Sequence, residues 1–374
     1  MIPILFSLFV LAIVYQLYFL IFIFAKLNRY ETPGFEESVN NDGISVIVCA
    51  WNEIENLKEL IPLLDNQNYP DFEVIIVDDR SVDGSYDYLL ANCHLFKNVR
   101  FLRIEHTPEH LSAKKYALTL GIRSAKYDIL LLTDADCRPQ SESWISGMKA
   151  CLSQEKEIVL GFSPYYKTKG FLNRLIQYET FVTALQYFSF ALSGMPYMGV
   201  GRNLMYRKEI FTRNRGFAQH TNIIGGDDDL FMNDVATGEN TAVCLNPDTF
   251  VYSFPKLDWQ AWYRQKIRHI SVSKYYRKKN KFLLGSLATS QMLVWMLFLG
   301  LIGFLIYDVL VFWLIGLFLL RLISQWIIFS KASQNLNQII KTKSIPVFDF
   351  MFTIYYLIMG FWSFVFRKKK IKWR

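Results

Sequence analysis

Cysteine is scarce in this chain and badly placed for cross-linking. Its 374 residues include five, Cys49, Cys93, Cys137, Cys151 and Cys244, an odd number with no CxxC pair. A small disulfide-stapled scaffold is excluded, and the thiols read as free groups in a reducing compartment. Histidine is equally sparse. His94, His106, His110, His220 and His269 show no HExxH or CxxH spacing, so zinc is not indicated. No internal repeat or low-complexity stretch is present, which sets aside collagen-like structure and disorder. The most informative lack is a local one. Four runs, 2–24, 283–306, 309–329 and 347–366, contain only two charged residues, Arg321 and Asp349.

Outside those runs the chain carries the charge of an ordinary soluble protein, although 52% of all its residues are hydrophobic. The composition is therefore that of a water-soluble domain held on a membrane by apolar segments at both ends. The net charge of +8 has the same origin. Arg277, Lys278, Lys279 and Lys281 precede one apolar run, and the six basic residues of 367–374 follow another, leaving the remainder slightly acidic. Basicity of this kind faces lipid headgroups and does not indicate nucleic acid.

The first apolar run has no basic residue ahead of it and is too long for a signal-peptide core, so it reads as an uncleaved anchor. Lys26 and Arg29 follow it and place its C-terminal end in the cytoplasm. Four crossings from there would leave the basic C-terminus outside, against the positive-inside tendency. The last run, which contains Asp349, is therefore expected to be interfacial or re-entrant. Arg321 is expected to snorkel to the interface.

Residues 30–42 read as a polar linker, after which an alternation begins. Strand-like runs at 44–51, 72–79, 99–104 and 128–133 alternate with helical periodicity at 54–67, from about 83, at 111–125 and at 141–153. This pattern predicts a parallel sheet with helices on both faces, with ligands bound beyond the carboxyl ends of the strands. Residues 171–193, rich in Phe, Tyr and Leu, suit an amphipathic helix on the membrane surface or a buried core helix. Residues 259–276 read as a basic, aromatic helix leading to the membrane.

The residues after the strands carry the chemistry. Cys49-Ala50-Trp51-Asn52-Glu53 and Asp78-Asp79 end adjacent strands, where small residues and carboxylates accept hydrogen bonds from a ribose and a base. Asp134-Ala135-Asp136 aims two carboxylates at one point, which suits a hard divalent cation and a diphosphate. Gly225-Gly226-Asp227-Asp228-Asp229 places acids at a predicted helix start, as a cap or as a general base. Gln265-Lys266-Ile267-Arg268-His269 supplies amide and cationic donors.

Seven segments, SVIVCAWNE, VDDRSVDGS, AKKYAL, TDADC, GVGRNLMYRK, GGDDDL and QKIRH, follow one another in the order of the family 2 glycosyltransferases. They resemble the membrane-bound branch that includes cellulose, chitin and hyaluronan synthases and ceramide glucosyltransferases, over residues 43–280. The resemblance implies a GT-A fold, an α/β domain with a Rossmann-like mixed sheet, transmembrane helices at both ends, and inversion at the anomeric carbon. It implies a nucleotide-diphosphate sugar donor, Mg²⁺ or Mn²⁺, and a lipid or glycan acceptor at the cytoplasmic face of the cell membrane. Matched by motif, Ala50, Asn52, Glu53 and Asp79 line the nucleoside site, Lys114 sits near the donor, and Asp134 holds sugar or ribose. Asp136 ligates the metal. Asp227 is the base, with Asp228 its alternate because the run of three acids leaves the register open. Gln265, Arg268 and His269 fall at the QxxRW motif, near acceptor and diphosphate.

Three positions depart from the family pattern. Gly226 stands where a Glu precedes the base, Cys49 where Pro is common, and His269 where QxxRW has Trp. The last change, with few membrane segments, argues against long-chain polymerisation. The implied organisation is an anchor at 1–29, the linker, a catalytic domain at 43–257, an interfacial helix at 258–281, membrane segments at 282–366 and a basic tail at 367–374. Two other readings stand beside it: an inactive scaffold of a synthase complex, and a nucleotidyltransferase, whose usual glycine-rich loop after the first strand is missing.

Overall fold

The computed structural model describes residues 2–32, 42–109, 111–337 and 340–365, with side chains as far as 360. Most of the expected linker and the basic tail at 367–374 lie outside the described residues. Helix α1 (Ile2–Tyr18) runs on through a π turn at Phe19–Ile23 and a short turn at Phe24–Lys26. Then β1 (Ile44–Ala50), α2 (Ile54–Asp65), β2 (Phe72–Asp79), α3 (Ser85–Asn92), β3 (Val99–Ile104), α4 (Ala113–Ser124) and β4 (Ile129–Asp134) follow the expected alternation. Strands β1 and β2 pair in parallel, as do β2 with β3 and β1 with β4. Their apolar runs are covered on both faces, as parallel strands require. The strand order reverses between β1 and β4, which opens a crevice at their carboxyl ends.

Beyond this point the sheet is mixed. The chain continues through β5 (Cys137–Pro139), α5 (Trp144–Ala150), β6 (Ile158–Leu160), α6 (Phe171–Leu192), β7 (Leu204–Arg207), α7 (Lys208–Arg213), α8 (Asp229–Val235), β8 (Thr241–Val243) and β9 (Val251–Ser253). Strand β7 runs antiparallel to β4, and β6 antiparallel to β7, giving a seven-stranded mixed sheet in the order β3-β2-β1-β4-β7-β6-β8. Strands β5 and β9 form a separate antiparallel ribbon. The four strands read from the sequence are parallel as expected, and the rest complete the mixed sheet that the resemblance implies. The added strands are three or four residues long, too short for periodicity to reveal their direction.

The remaining helices are α9 (Trp259–Ser273), α10 (Lys278–Leu305), α11 (Leu310–Asn335) and α12 (Ile345–Val365). Three segments of the described residues are long and apolar enough to cross a membrane: Ile2–Arg29, Lys278–Leu305 and Leu310–Asn335. They pack through Phe9 and Ile13 of α1, Val294 and Leu301 of α10, and Leu314 and Phe318 of α11.

Helix α6 is buried and does not lie on a membrane surface. Fifteen of its 22 residues are enclosed. One side meets the sheet region, where Tyr187 Oη donates to the Gly161 carbonyl at 3.0 Å. The other meets the apolar helices through Phe181 on Phe329 and Tyr178 on Phe348, with ring centroids 5.5 and 5.0 Å apart. Apolar side chains run all round it, which marks a core helix.

Arg321 does not snorkel. It is 1% exposed and ion-paired with Asp349. Its Nε donates to Gln16 at 2.8 Å, Nη1 to Gln325 at 2.7 Å and Nη2 to Gln291 at 2.5 Å. Asp349 also accepts from Trp295 Nε1 at 2.7 Å. Four helices, α1, α10, α11 and α12, thus meet at one satisfied charge pair, and a guanidinium so partnered has no need of the interface.

Removing one partner leaves the other buried and uncompensated. Arg321→Met or Asp349→Asn is expected to cost about 3–5 kcal/mol, while Arg321→Met with Asp349→Leu recovers most of the loss. Melting of the purified protein in detergent measures this, and unchanged melting in both single variants would refute it.

Candidate active site

The loops after β1 and β2 are stitched to one another. Asn52 N–H donates to Ser81 Oγ at 2.8 Å, and Val82 N–H donates to Asn52 Oδ1 at 2.8 Å. Glu53 N–H donates to Ser85 Oγ at 3.1 Å, and Ile54 N–H to Asp83 Oδ2 at 3.0 Å. Asn52 and Arg80 both adopt left-handed backbone, with φ of 55° and 59°, a conformation Asn tolerates well. Asn52 is therefore occupied in holding the loop, and it is absent from the cavity lining. Ala50, Trp51, Glu53 and Asp79 do face the cavity. Burial, then the nearby Asp136 charge, outweighs the Asn56 hydrogen bond and raises the Glu53 pKa.

Strands β1 and β4 end level, with Cys49 opposite Asp134. The turn that follows is pinned from beneath by Arg138. Its Nη1 donates to the carbonyls of Ala135 and Cys137 at 3.2 and 2.8 Å, and its Nη2 reaches Asn56 and Glu59 of α2 at 2.8 and 2.9 Å. Asp134 and Asp136 are thereby held at the cavity wall.

Opposite them stands the acid run before α8. Gly225 and Gly226 have φ of 82° and 76°, which swings the three carboxylates inward. A Cβ on Gly226 would come within 2.5 Å of Leu230, so no glutamate fits there. Lys114, reaching from α4, bridges the two acidic walls, with Nζ 2.9 Å from Asp134 and 3.0 Å from Asp227. Burial opposes its charge, but Asp134, Asp227 and Asp228 outweigh burial and hold its pKa well above the ordinary lysine value. The same ammonium overcomes burial at Asp227 and holds that carboxyl low. Asp228 goes the other way, raised by burial and by the Asp227 charge. Its oxygens accept from Gly201 N–H at 2.8 Å and Asp229 N–H at 2.7 Å. Asp229, bonded by Tyr276 Oη at 2.8 Å, is pushed up to about 8 by burial and by Asp228.

Helix α9 supplies the cationic wall. Gln265, Arg268 and His269 line the cavity as the motif implies. Gln265 Nε2 donates to Tyr165 Oη at 3.3 Å. Lys266 is neutralised by Glu179 of α6 at 2.7 Å, and Glu179 also accepts from Tyr355 of α12 at 3.0 Å. His269 opens onto the cavity. The surrounding protein, then the charges of Lys266, Arg268, Arg202 and Lys114, hold its pKa well below the ordinary value, so it is neutral at neutral pH. Trp51, Tyr165, Arg202 and Glu179 are lining residues that motif spacing does not single out. Arg202 had a signal, its place in GVGRNL, but no pattern attached a role to it.

The cavity has a volume of about 1310 Å³ and runs from these strand ends to Leu284 and Ala288 of α10 and Phe352 and Tyr356 of α12. Its carboxylates are oxygen donors of the kind hard cations prefer. No cluster of three His, Cys, Asp or Glu forms a metal cage among the described residues. That donor set fits a cation held by Asp136 that completes its shell with phosphate oxygens and water.

Residues 45–214 match the family described as glycosyl transferase family 2. This stretch is a family 2 glycosyltransferase domain. It is 31% identical over 138 residues to the chondroitin synthase of Pasteurella multocida (strain Pm70), covering 36% of this chain and 13% of that protein. It is 31% identical over 157 residues to the hyaluronan synthase of Pasteurella multocida, covering 39% of this chain and 15% of that protein. The chain thus spans less than a sixth of either synthase. A solved structure, a mannosyltransferase from Pyrobaculum calidifontis in complex with GDP-Man and Mn²⁺, superposes with a TM-score of 0.61. It is 16% identical, over 98% of this chain and 100% of that one. The family 2 domain has the GT-A fold, and the likeness extends through the apolar helices.

Asp229 gives the domain a pH signature. Unfolded, its carboxyl loses a proton near 3.8, whereas folded it keeps the proton to about 8. Its contribution to stability therefore falls as pH rises between those values. Asp229→Asn, neutral throughout, is expected to lose less in melting temperature between about pH 5 and pH 8 than the parent. Equal losses in the two proteins would contradict the assignment.

Proposed function

We propose that the chain is an inverting glycosyltransferase that moves a sugar from a nucleotide-diphosphate sugar onto a lipid-linked or membrane-proximal acceptor. The observation that carries this reading is the continuous cavity from the acidic strand ends to the flank of α10, a candidate membrane-spanning helix. Its volume exceeds the roughly 300–1,000 Å³ of ordinary ligand sites, which leaves room for donor and acceptor together. An acceptor anchored in lipid meets the donor there without leaving the membrane.

In this mechanism Ala50, Glu53 and Asp79 take the nucleoside, with Asn52 holding their loop, and Asp134 and Lys114 hold the sugar side. A divalent cation, Mg²⁺ or Mn²⁺, would sit on Asp136 and supply charge neutralisation at the diphosphate. Gln265 and Arg268 face the same group. A carboxylate of the acid run removes the acceptor hydroxyl's proton as that oxygen attacks the anomeric carbon and the diphosphate leaves.

The electrostatics favour Asp228 over Asp227 as that base. Asp227 is held low by Lys114 and is a weak proton acceptor, whereas the raised carboxyl of Asp228 is closer to the working pH. With no room for a side chain on Gly226, Asp227 and Asp228 are the first acids of the run that can serve, which keeps Asp228 open as the base. His269 is neutral and smaller than the Trp of the QxxRW motif it departs from, which supports transfer of one sugar or a few.

Radiolabelled transfer from a panel of nucleotide sugars to membrane lipid extract tests the activity and names the donor. Asp228→Asn is expected to lower transfer by about 10²–10⁴-fold while donor binding persists. Full transfer by Asp228→Asn, with loss in Asp227→Asn, would move the base back to Asp227. No transfer from any donor would overturn the reading.

We also infer that the catalytic domain faces the cytoplasm and that α12 does not cross. Lys26, Arg29 and the basic residues at 277–281 flank the domain side of α1 and α10. Helix α12 packs on the catalytic domain, with Tyr355 bonded to Glu179 and Phe348 stacked on Tyr178. Three crossings return the C-terminus to the cytoplasm. A C-terminal reporter that is active only in the cytoplasm should be active, and an active periplasmic reporter there would refute this topology.

A further inference from the structure

Arg202 sits in the cavity wall with a hydrogen-bonding capacity the protein does not use. The backbone around it is fixed on both sides. Gly201 N–H is bound to Asp228 at 2.8 Å. The fully buried Asn203 donates to the carbonyls of Phe162 and Thr249 at 2.8 Å each and accepts from Trp144 Nε1 at 3.0 Å. The guanidinium is therefore delivered to one place. Its carbon lies 4.4 Å from the centre of the Tyr165 ring, and Nη2 donates to the Ser163 carbonyl at 3.2 Å. Nη1 is closed off from water and has no hydrogen-bond partner. No carboxylate of the described residues stands within ion-pair distance, although Asp134 and Asp136 line the same cavity.

A cation held this way is costly unless an anion completes it. The planar fork of arginine matches phosphate oxygens, and an aromatic face beneath it fixes its orientation. Tyr165 also accepts from Gln265 of α9, which ties Arg202 to the motif helix. A purely structural arginine would have its donors satisfied by the fold, as those of Arg138 and Arg321 are.

We propose that Arg202, steadied by Tyr165, is a phosphate-binding residue of this cavity, its guanidinium, with donors the fold leaves unused, binding an oxygen of the donor's diphosphate or of a phosphate on the acceptor. The proposal rests on the reading of the cavity as a nucleotide-sugar site and adds a binding residue to it.

The full chain in detergent, titrated calorimetrically with inorganic pyrophosphate and separately with a polyprenyl monophosphate, tests it. Arg202→Gln is expected to weaken one of the two by about tenfold to a hundredfold, with Arg202→Lys restoring only part. Loss of pyrophosphate binding assigns the donor's diphosphate, and loss of the monophosphate alone assigns the acceptor. Tyr165→Leu, which removes the ring, should weaken the same probe, whereas Tyr165→Phe should keep most of it. Those two variants carry the test if Arg202→Gln fails to fold. Unchanged affinity for both probes in Arg202→Gln, or in Tyr165→Leu where that variant stands in, would overturn the proposal. Pyrophosphate binding through Arg202 in a chain that binds no nucleotide sugar would instead end the donor reading and leave Arg202 in place.

Discussion

One ammonium group holds the acidic end of the cavity together. Lys114 Nζ lies within hydrogen-bond distance of Asp134, at the tip of β4, and of Asp227, at the start of α8. Without it the cavity would gather carboxylates from two distant parts of the chain with nothing between them. At about 4 Å two such charges repel by roughly 4 kcal/mol in a setting of intermediate dielectric. The bridge sets the local order of proton affinities as well. By holding Asp227 in its charged form it leaves Asp228 and Asp229 buried beside that charge, and burial together with the neighbouring carboxylates pushes both up. The difference in proton affinity along three successive aspartates follows in part from which of them reaches the lysine.

The same logic operates in the apolar half of the molecule. Arg321 and Asp349 draw four helices to one point, and three glutamines and a tryptophan surround the pair. Helix α6 lies between this bundle and the sheet, and Glu179 links it to Lys266 of α9 and Tyr355 of α12. The wall of the cavity that carries the motif helix is therefore anchored to the helix packed beside the bundle. The likeness in fold to the Pyrobaculum calidifontis structure covers nearly the whole chain, the apolar helices included.

Local pattern was enough for the first four strands and their helices, because β-branched runs alternating with helical periodicity leave little freedom in a parallel βα arrangement. It also located the part of the lining that follows β1, β2 and β4, since residues that follow parallel strands emerge at one edge. Short-range pattern was silent on strands β6 to β8, whose direction depends on what they pair with. It was misleading for Arg321, where a charge in an apolar run has two resolutions and only the partner decides between them. It left the three aspartates unresolved because they are adjacent and alike.

The sequence by itself therefore determined the class of protein, the placement of its apolar segments, the parallel half of the sheet and the chemical kind of its site, since each depends on neighbours in the chain. The tertiary structure decided which acid stays charged, why Gly226 excludes a glutamate, how Asn52 is used and where Arg202 and Arg321 point. Those outcomes depend on groups many residues away. Charge, burial and hydrogen-bond supply at a site are properties of what surrounds it in space.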